Sequence, residues 1–470
     1  MKVEEFDSII IGTGQGGSPL ASFLALKGER VAVVERGFVG GTCVNYGCTP
    51  TKTLISTARV AHLNETSSDF GINHDPLTLD FKAIQERKTK VVLKSRTASE
   101  KRLKEDSNVT FIAGTASFSG PKEIVVQETG SQDARNLTAQ KIFLDTGTSS
   151  SIPKIPGLSD SNFLTSKSLL EIREIPNKLI IIGGSYIALE YGQMFSRFGS
   201  EVTLLQRNKL VLPREDPDVS EEIESILTNE GIEVLTGIKI ISVEKIDPAK
   251  ESPQTIKVNV KLPSGELSSI EGSHLFIATG REPNTADLRL ENAGITVNEK
   301  GYIEVNEYLE TNVPGVFALG DVKGGPAFTH IAYDDYRVLQ HNLYNPDKKS
   351  IRNRVVPYTV FLDPELGRTG MTEKQAKEKG LNYKVAKMPV SSVARAVEAG
   401  ETLGFWKVLI DADTDLILGA SILSIGGGEI SSFLHLAILA GISYKLIRDN
   451  PFSHPTLTES LNNLLAKVPD

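Results

Sequence analysis

The residues best suited to chemistry are Cys43 and Cys48, the only two cysteines in 470 residues. A cytosolic chain of this length buries a large core and has no structural need for one disulfide, so we interpret the pair as redox-active thiols. Five residues of ideal helix rise about 7.5 Å, whereas a disulfide needs Cα atoms within about 4.4–6.8 Å. The pair can therefore close only where the start of a helix is distorted.

The residues around the second thiol favour such a distorted start. Gly47 permits irregular backbone, and Pro50 suits the first turn of a helix that we expect to begin near Thr49. A helix N-terminus lowers the pKa of a thiol, so Cys48 is a candidate thiolate. On spacing alone, two unrelated buried cysteines remain the alternative.

The chain begins with a dinucleotide-binding pattern. The apolar run from Asp7 to Ile11 predicts a buried strand, and a glycine-rich turn, an amphipathic helix and a second strand follow it. In the turn, Gly12 permits a tight bend, Gly14 lets the backbone approach a pyrophosphate, and Gly17 allows helix and strand to pack closely. Glu35 ends the second strand, where an acid binds ribose hydroxyls.

The same pattern occurs a second time, which predicts two nucleotide sites. A strand from Lys178 to Ile182 leads into Gly183-Gly-Ser-Tyr-Ile, then a helix and a strand that ends at Gln206, with the same spacing as the first copy. Later, Leu275-Phe-Ile-Ala-Thr-Gly280 repeats the earlier Ile142-Phe-Leu-Asp-Thr-Gly147. An internal repeat of this kind rarely arises by chance.

The second copy differs from the first at the residue that selects the nucleotide. An acid at position 206 would bind the 2′-hydroxyl of NAD and repel the 2′-phosphate of NADP, whereas Gln206 carries no charge. Arg207 can pair with a phosphate, so we predict that NADPH is preferred, with NADH possible. The alternative is that Arg207 is only a solvated charge at a strand end.

Composition narrows the classes of function. The formal net charge of −8 and the lack of a long basic run argue against a nucleic-acid or anionic-membrane partner. No apolar run approaches the length of a membrane span, and the N-terminus leads almost directly into a strand without a signal segment. Together with two cysteines at redox spacing, these features predict a cytoplasmic protein.

Three segments resemble one enzyme family. Gly40–Lys52 (Gly-Gly-Thr-Cys-Val-Asn-Tyr-Gly-Cys-Thr-Pro-Thr-Lys) is similar to the active-site signature of the flavin-dependent pyridine nucleotide–disulfide oxidoreductases. Thr311–Asp321 resembles their second flavin motif, and Phe452–Glu459 resembles their His-Pro-Thr…Glu motif. The resemblance covers essentially the whole chain.

The resemblance implies an α/β fold with two doubly wound, Rossmann-like nucleotide-binding domains and a C-terminal α+β dimerisation domain. The implied boundaries are 1–150 and 274–345 for a split FAD-binding domain, 151–273 for an inserted NAD(P)-binding domain, and 346–470 for the interface domain. In the family this interface makes a homodimer, and His454 and Glu459 reach the flavin site of the other subunit.

The resemblance also implies roles for single residues. The implied catalytic residues are Cys43, Cys48, His454, Glu459, Lys52 and Glu190. The residues implied for FAD are Gly12, Gly14, Gly17, Glu35, Arg36, Thr42, Lys52, Gly114, Thr146, Gly147, Asp321 and Thr329. Those implied for NADPH are Gly183, Gly184, Ser185, Tyr186, Ile187, Glu190, Gln206, Arg207 and Gly280. No resident metal is implied.

The implied reaction passes a hydride from NADPH, past a gating Tyr186, through FAD to the Cys43–Cys48 disulfide. The Lys52–Glu190 pair would lie beside the flavin. Cys48 would be the flavin-proximal thiolate. Cys43 would attack the substrate, and His454 would be its acid and base.

Four further stretches resemble the mercuric-reductase-like and copper(II)-reductase branch of the family: Phe328–Arg337, Leu362–Gly367, Val393–Ala396 and Gly404–Lys407. The chain lacks a C-terminal cysteine pair for Hg(II), which argues against a true mercuric reductase. We therefore expect reduction of a small disulfide or of a thiol-reactive metal ion such as Cu(II).

A dihydrolipoyl dehydrogenase in a multienzyme complex is one alternative function, which Gln206 disfavours. A non-enzymatic dithiol sensor is the other, which would have no use for His454 and Glu459.

Overall fold

The structure is a computed structural model, and it describes residues 3–73, 75–246 and 255–469. The chain divides into two compact units. Unit 1 comprises Met1–Leu54, Lys82–Ser151 and Gly280–Arg354, and unit 2 comprises Ile55–Phe81, Ile152–Thr279 and Val355–Asp470.

The strands, in chain order, are β1 (Val3–Ile11), β2 (Val31–Glu35), β3 (Val109–Gly120), β4 (Glu123–Glu128), β5 (Ala134–Leu144), β6 (Thr148–Ser150), β7 (Lys178–Ile182), β8 (Glu201–Leu205), β9 (Glu233–Leu235), β10 (Lys239–Ile246), β11 (Thr255–Lys261), β12 (Leu267–Gly272), β13 (His274–Ile277), β14 (Arg281–Pro283), β15 (Val316–Ala318), β16 (Tyr358–Val360), β17 (Glu365–Gly370), β18 (Tyr383–Pro389), β19 (Phe405–Asp411) and β20 (Ile417–Ser424).

The α-helices are α1 (Gly17–Leu26), α2 (Gly41–Asn45), α3 (Cys48–Glu65), α4 (Phe81–Glu105), α5 (Ser166–Leu169), α6 (Tyr186–Arg197), α7 (Pro217–Asn229), α8 (Thr329–Tyr344), α9 (Glu373–Glu378), α10 (Ala394–Glu398), α11 (Gly427–Leu439), α12 (Tyr444–Asp449) and α13 (Ser460–Leu465). Of the helices described, none is long and apolar enough to cross a membrane.

Unit 1 is organised around a parallel sheet. Strands β15, β5, β1, β2 and β3 lie side by side in parallel, and β4 pairs antiparallel with the outer parts of β3 and β5. The apolar run Ile9–Ile11 is almost fully buried, as expected of a parallel strand covered on both faces. The carboxyl ends of β1, β2, β5 and β15 meet at one edge, which is where such sheets bind ligands.

The described residues of unit 2 form three sheets. One is a four-stranded parallel sheet in the order β13-β7-β8-β9, and it carries the second glycine pattern. The second is a three-stranded antiparallel sheet of β10, β11 and β12. The third is a five-stranded antiparallel sheet in the order β16-β17-β20-β19-β18, with α11 packed near β17 and β20.

Several expected elements agree closely with the structure. The strand Lys178–Ile182 has the expected bounds, and the strand expected to end at Gln206 ends one residue earlier, at Leu205. Helix α7 and the sheet of β10–β12 were not predicted, because β10 and β12 are mostly polar and exposed and give little apolar periodicity. The division of the chain into segments 1–150, 151–273, 274–345 and 346–470 stays a prediction.

Candidate active site

The two cysteines lie at a break between two helices of the cysteine loop. Helix α2 carries Cys43, the backbone leaves helical geometry at Tyr46 and Gly47, and α3 begins at Cys48. The expected distortion of the helix start is therefore present. Both cysteines are free thiols in this structure.

Side-chain and glycine contacts fix the position of this loop in unit 1. The Asn45 side-chain amide donates hydrogen bonds to the backbone carbonyl oxygens of Gly41 (2.9 Å) and Val39 (3.0 Å), and Arg96 donates to the side-chain oxygen Oδ1 of Asn45 (2.6 Å). Gly41 has a positive φ of 60°, and a Cβ atom there would lie 2.9 Å from the Cα atom of Gly14. Only glycine lets α2 pack this closely on the dinucleotide turn.

The environment of the two thiols separates their protonation. Cys43 and Cys48 hydrogen-bond each other, and this bond is the main cause that lowers the pKa of Cys48 to about 6. A hydrogen bond with the Thr329 hydroxyl (3.1 Å) and the positive charge of Lys52 lower that pKa further, against the effect of burial. The same bond to Cys48, together with burial, raises the pKa of Cys43. Near neutral pH, Cys48 is thus a thiolate and Cys43 a thiol.

Removing the Thr329 hydroxyl should raise the pKa of Cys48. In Thr329→Val we expect a rise of about one unit, because a hydrogen bond to the charged form is lost. The thiolate is present above its pKa and is protonated as the pH falls through it. In the variant this protonation would therefore begin at a higher pH than in the wild type. The pH dependence of iodoacetamide alkylation of the reduced enzyme measures the midpoint.

The matched control for this change is Thr53→Val. Thr53 also lies on α3, but its hydroxyl donates to the Thr49 carbonyl oxygen (2.7 Å). That variant should keep the wild-type midpoint. Equal midpoints in Thr329→Val and the wild type would show that the hydroxyl does not stabilise the thiolate.

The first glycine pattern forms the turn between β1 and α1. Gly12 has a φ of 102°, and a Cβ atom on Gly17 would lie 2.4 Å from the Gly12 carbonyl oxygen, so both positions require glycine. The Glu35 carboxylate accepts hydrogen bonds from the Thr13 amide (2.9 Å) and hydroxyl (2.6 Å) and from the Gly37 amide (2.8 Å). These bonds hold the acid at the carboxyl end of β2.

Asp321 lies at the carboxyl end of β15, in a turn after the strand. Its Oδ2 atom accepts a hydrogen bond from the Thr148 hydroxyl (3.0 Å), and Arg281 donates to that hydroxyl (2.7 Å). Burial raises the pKa of Asp321, and the charge of Arg281 opposes this. Nearby, the Thr146 hydroxyl donates to the Asn284 carbonyl oxygen (2.9 Å).

The other residues expected at the flavin lie in the same unit but in different surroundings. Arg36 is paired with Asp287 (3.0 Å) on the surface. Thr42 lies on α2 beside Cys43, and Gly147 has a φ of 65°. Gly114 lies in β3, where a Cβ atom would be 2.5 Å from the carbonyl oxygen of Gln127. Their roles stay predictions.

The second glycine pattern lies in unit 2, between β7 and α6. Gly183 has a φ of 137°, and a Cβ atom on Gly184 would lie 2.7 Å from the side-chain nitrogen Nε2 of Gln206. The Gln206 side chain is buried beneath this turn, whereas Arg207 is exposed. Of the other residues predicted to bind NADPH, Ser185 immediately precedes α6, and Tyr186 and Ile187 are its first two residues. Gly280 follows β13.

Glu190 is buried on α6 of unit 2. Its Oε1 atom accepts a hydrogen bond from the Phe361 amide (2.9 Å). Lys52 lies on the first turns of α3 in unit 1. The pairing of Lys52 with Glu190 stays a prediction.

His454 and Glu459 form a pair in unit 2. The Glu459 carboxylate hydrogen-bonds His454 Nδ1 at 2.9 Å, and the His454–Pro455 peptide bond is cis. The His454 side chain is 73% exposed, whereas that of Glu459 is 19% exposed. A carboxylate on Nδ1 orients an imidazole and leaves Nε2 for a proton transfer. In the part of the chain described, no group of three His, Cys, Asp or Glu residues could hold a metal ion.

Sequence reasoning missed Asp145, which directly follows β5. It is 7% exposed and its Oδ2 atom accepts a hydrogen bond from the Gly17 amide (2.7 Å). The signal was available in the internal repeat, because Asp145 stands where the second copy has Ala278.

Comparisons with known proteins place these features in a family. A family model described as pyridine nucleotide-disulphide oxidoreductase matches residues 6–335. A second model, the dimerisation domain of the same family, matches residues 356–465. Together the two models account for most of the chain.

Individual relatives extend over nearly the whole length. The chain is 37% identical over 470 residues to the probable pyridine nucleotide-disulfide oxidoreductase RclA of Escherichia coli, covering 99% of this chain and 100% of RclA. It is 36% identical to a mercuric reductase of Staphylococcus aureus, covering 97% and 81% of the two chains. The solved Cu(II) complex of the HOCl-induced flavoprotein disulfide reductase RclA from Escherichia coli superposes with a TM-score of 0.89 at 36% identity, covering 98% and 99% of the two chains.

Proposed function

Because the chain belongs to the pyridine nucleotide-disulphide oxidoreductase family, an FAD-dependent family that uses NAD(P)H, we propose that it reduces a small disulfide or a thiol-reactive metal ion such as Cu(II) with electrons from NADPH. The expected fold class, with two Rossmann-like nucleotide-binding domains and a dimerisation domain, is confirmed. The observation that carries the proposal is the pair of free thiols, Cys43 and Cys48, which lie within hydrogen-bonding distance of each other beside the Thr329 hydroxyl.

The residues of unit 1 fit FAD. The glycine turn between β1 and α1 lies at a helix N-terminus, where the helix dipole favours a pyrophosphate, and its glycines let that group approach the backbone closely. Glu35 and Asp321 are acids at the carboxyl ends of two strands, where they could accept hydrogen bonds from ribose and ribityl hydroxyls. When bound, FAD would supply the two-electron carrier between NAD(P)H and the thiols.

The two thiols would have different roles in the reaction. Cys48, stabilised as a thiolate by Cys43, Thr329 and Lys52, would be the sulfur next to the flavin. Cys43 keeps its proton in this state, so it needs a base before it can attack a substrate. We assign that base to His454, oriented by Glu459.

We propose that His454 acts on the thiols of the other subunit of a homodimer. The dimerisation-domain match to residues 356–465 supports the homodimer, and this match includes His454. The imidazole is largely exposed although a carboxylate fixes its orientation, as expected of a group whose target lies on another chain.

The reaction balances for either kind of substrate. One NADPH and one proton convert a disulfide into two thiols, and Cys43 forms a mixed disulfide with one of its sulfurs on the way. For a copper substrate, the two electrons of one NADPH convert two Cu(II) ions into two Cu(I) ions and release a proton. Thiolate is the ligand that Cu(I) prefers, so the reduced pair would also favour metal reduction.

Arg207 should set the preference for NADPH. It is exposed after β8, where a 2′-phosphate would lie in a Rossmann-like site, and the neighbouring Gln206 adds no negative charge. We expect kcat/KM for NADPH to exceed that for NADH by about tenfold or more, and Arg207→Ala to remove most of this difference. Steady-state kinetics with both reduced nucleotides measures it.

The control for this prediction is Lys209→Ala, which removes an exposed cation two residues further on. It should leave the nucleotide preference unchanged. An NADH preference of tenfold or more in the wild type would contradict the assignment.

An anaerobic titration of the purified protein with NADPH tests the proposed function. A long-wavelength charge-transfer band after two electrons is expected, because a Cys48 thiolate would lie against oxidised flavin. Turnover with a panel of disulfides, Cu(II) and Hg(II) would then identify the substrate class. Bleaching without that band would show that the thiols are not coupled to the flavin, and rapid turnover of dihydrolipoamide with NAD would favour a dihydrolipoyl dehydrogenase.

A further inference from the structure

Asp145 is a buried carboxyl group that the proposed reaction does not use. Its backbone amide donates to the Ile11 carbonyl oxygen (2.8 Å), which places it at the carboxyl edge of the unit 1 sheet. A Cβ atom on Gly14 would lie 2.6 Å from its Oδ2 atom, and one on Gly320 would lie 2.7 Å from its Oδ1 atom. The carboxyl group is therefore enclosed between the dinucleotide turn and the turn after β15.

The two oxygens of this carboxyl group have different partners. Oδ2 accepts a hydrogen bond from the Gly17 amide at the start of α1 (2.7 Å). Within residues 3–73, 75–246 and 255–469, the structure gives Oδ1 no hydrogen-bond partner. This oxygen keeps some exposure to solvent and faces the turn after β15, so a ligand held at the neighbouring dinucleotide turn could reach it.

The charges around Asp145 disfavour its ionised form. The acids that face it are Glu35 at the end of β2, Asp321 after β15 and Asp335 on α8. The cations of this region are engaged elsewhere, since Lys323 (3.3 Å) and Arg354 (2.8 Å) pair with Asp335. Burial first, and then these acids, raise the pKa of Asp145 well above the usual value, and the Gly17 hydrogen bond only partly opposes this.

The second nucleotide unit shows that the fold itself does not require an acid here. A Cβ atom on Gly183 would lie 2.3 Å from the Ala278 carbonyl oxygen, just as one on Gly12 would lie 2.2 Å from that of Asp145. The two positions are equivalent, yet one carries a methyl group and the other a carboxyl group. The acid is thus a property of the first site, which points to its ligand.

We propose that Asp145 binds FAD as a neutral carboxylic acid, accepting a hydrogen bond from Gly17 at Oδ2 and donating its own proton from Oδ1 to a phosphate oxygen. An ionised Asp145 would instead repel the pyrophosphate, so FAD can bind only with the protonated form. Above the pKa of the free site, binding takes up one proton from solvent. The affinity for FAD then falls by up to tenfold for each unit of rising pH.

This inference rests on the proposed function only for the identity of its ligand, so the test measures FAD retention instead of turnover. Holoenzyme is equilibrated between about pH 6 and 9 and ultrafiltered, and the fluorescence of free FAD in the filtrate gives the dissociation constant. We expect wild-type retention to weaken at high pH. Asp145→Asn keeps a neutral donor and should retain FAD equally well across the range.

Two further variants complete the experiment. Asp145→Ala reproduces the second copy and should lose about tenfold or more in affinity at low pH, because the donor is absent. Asp133→Asn, an exposed acid of the same unit, should behave as the wild type. A pH dependence that persists in Asp145→Asn but disappears in Asp321→Asn would assign the proton to Asp321 and overturn the proposal.

A measurement on the wild type alone guards against a misfolded variant. Calorimetry of FAD binding to the flavin-free chain in buffers of different ionisation enthalpy should give uptake of about one proton at high pH. Binding without proton uptake would overturn the inference while leaving the proposed function intact. A protein that binds no FAD at any pH would instead overturn the proposed function.

Discussion

Cys43→Ser should abolish reduction of disulfides and metal ions while the bound flavin remains. We expect kcat/KM to fall by about 10³-fold or more, because the hydroxyl of serine cannot replace the thiol that forms the mixed disulfide. NADPH-dependent reduction of an artificial acceptor that takes electrons directly from flavin should persist. Turnover of each substrate and of this acceptor, measured on one preparation, separates loss of the thiol from loss of flavin.

A second variant, Cys43→Ala, tests whether the hydrogen bond from residue 43 stabilises the Cys48 thiolate. Both variants lack the attacking thiol, but only serine keeps a hydroxyl that can donate to Cys48. Since the bond from Cys43 is the main cause of the low pKa of Cys48, that pKa should rise further in the alanine variant than in the serine variant. Unchanged substrate turnover in Cys43→Ser would refute the thiol mechanism for every substrate class.

Features that depend on local sequence were predictable. The turns at Gly12 and Gly183 need positive φ, and glycine next to a buried apolar strand indicates such a turn from a few residues. The bounds of β7 followed from its short apolar run Leu179–Ile182. The chemistry of Cys43 and Cys48 followed from their spacing and flanking residues.

Features that depend on distant contacts were less accessible. The hydrogen bond between Cys48 and Thr329 joins residues 281 positions apart, and no local pattern specifies it. The motif resemblance indicated Thr329 as a flavin residue, but not as a partner of the thiolate. Burial, and then three acids from other elements, raise the pKa of Asp145, and no local pattern in the sequence indicates either cause.

A heterodimer of Cys43→Ser and His454→Ala chains should recover activity that neither homodimer has. Each homodimer lacks a required group at both sites, and loss of the base alone should cost about 10²–10⁴-fold. If His454 serves the other subunit, one site of the heterodimer combines an intact Cys43 with an intact His454. Two different affinity tags allow the mixed species to be purified, and its activity should be about half that of the wild type.

The reciprocal heterodimer distinguishes this arrangement from one within a single chain. A wild-type chain paired with a Cys43→Ser/His454→Ala double variant has no complete site if the base comes from the partner, but keeps one if it comes from the same chain. We therefore expect the first heterodimer to be about half active and the reciprocal one to be inactive. The opposite pattern would show that each chain builds its own site, since the exposed imidazole would then serve the thiols of its own subunit.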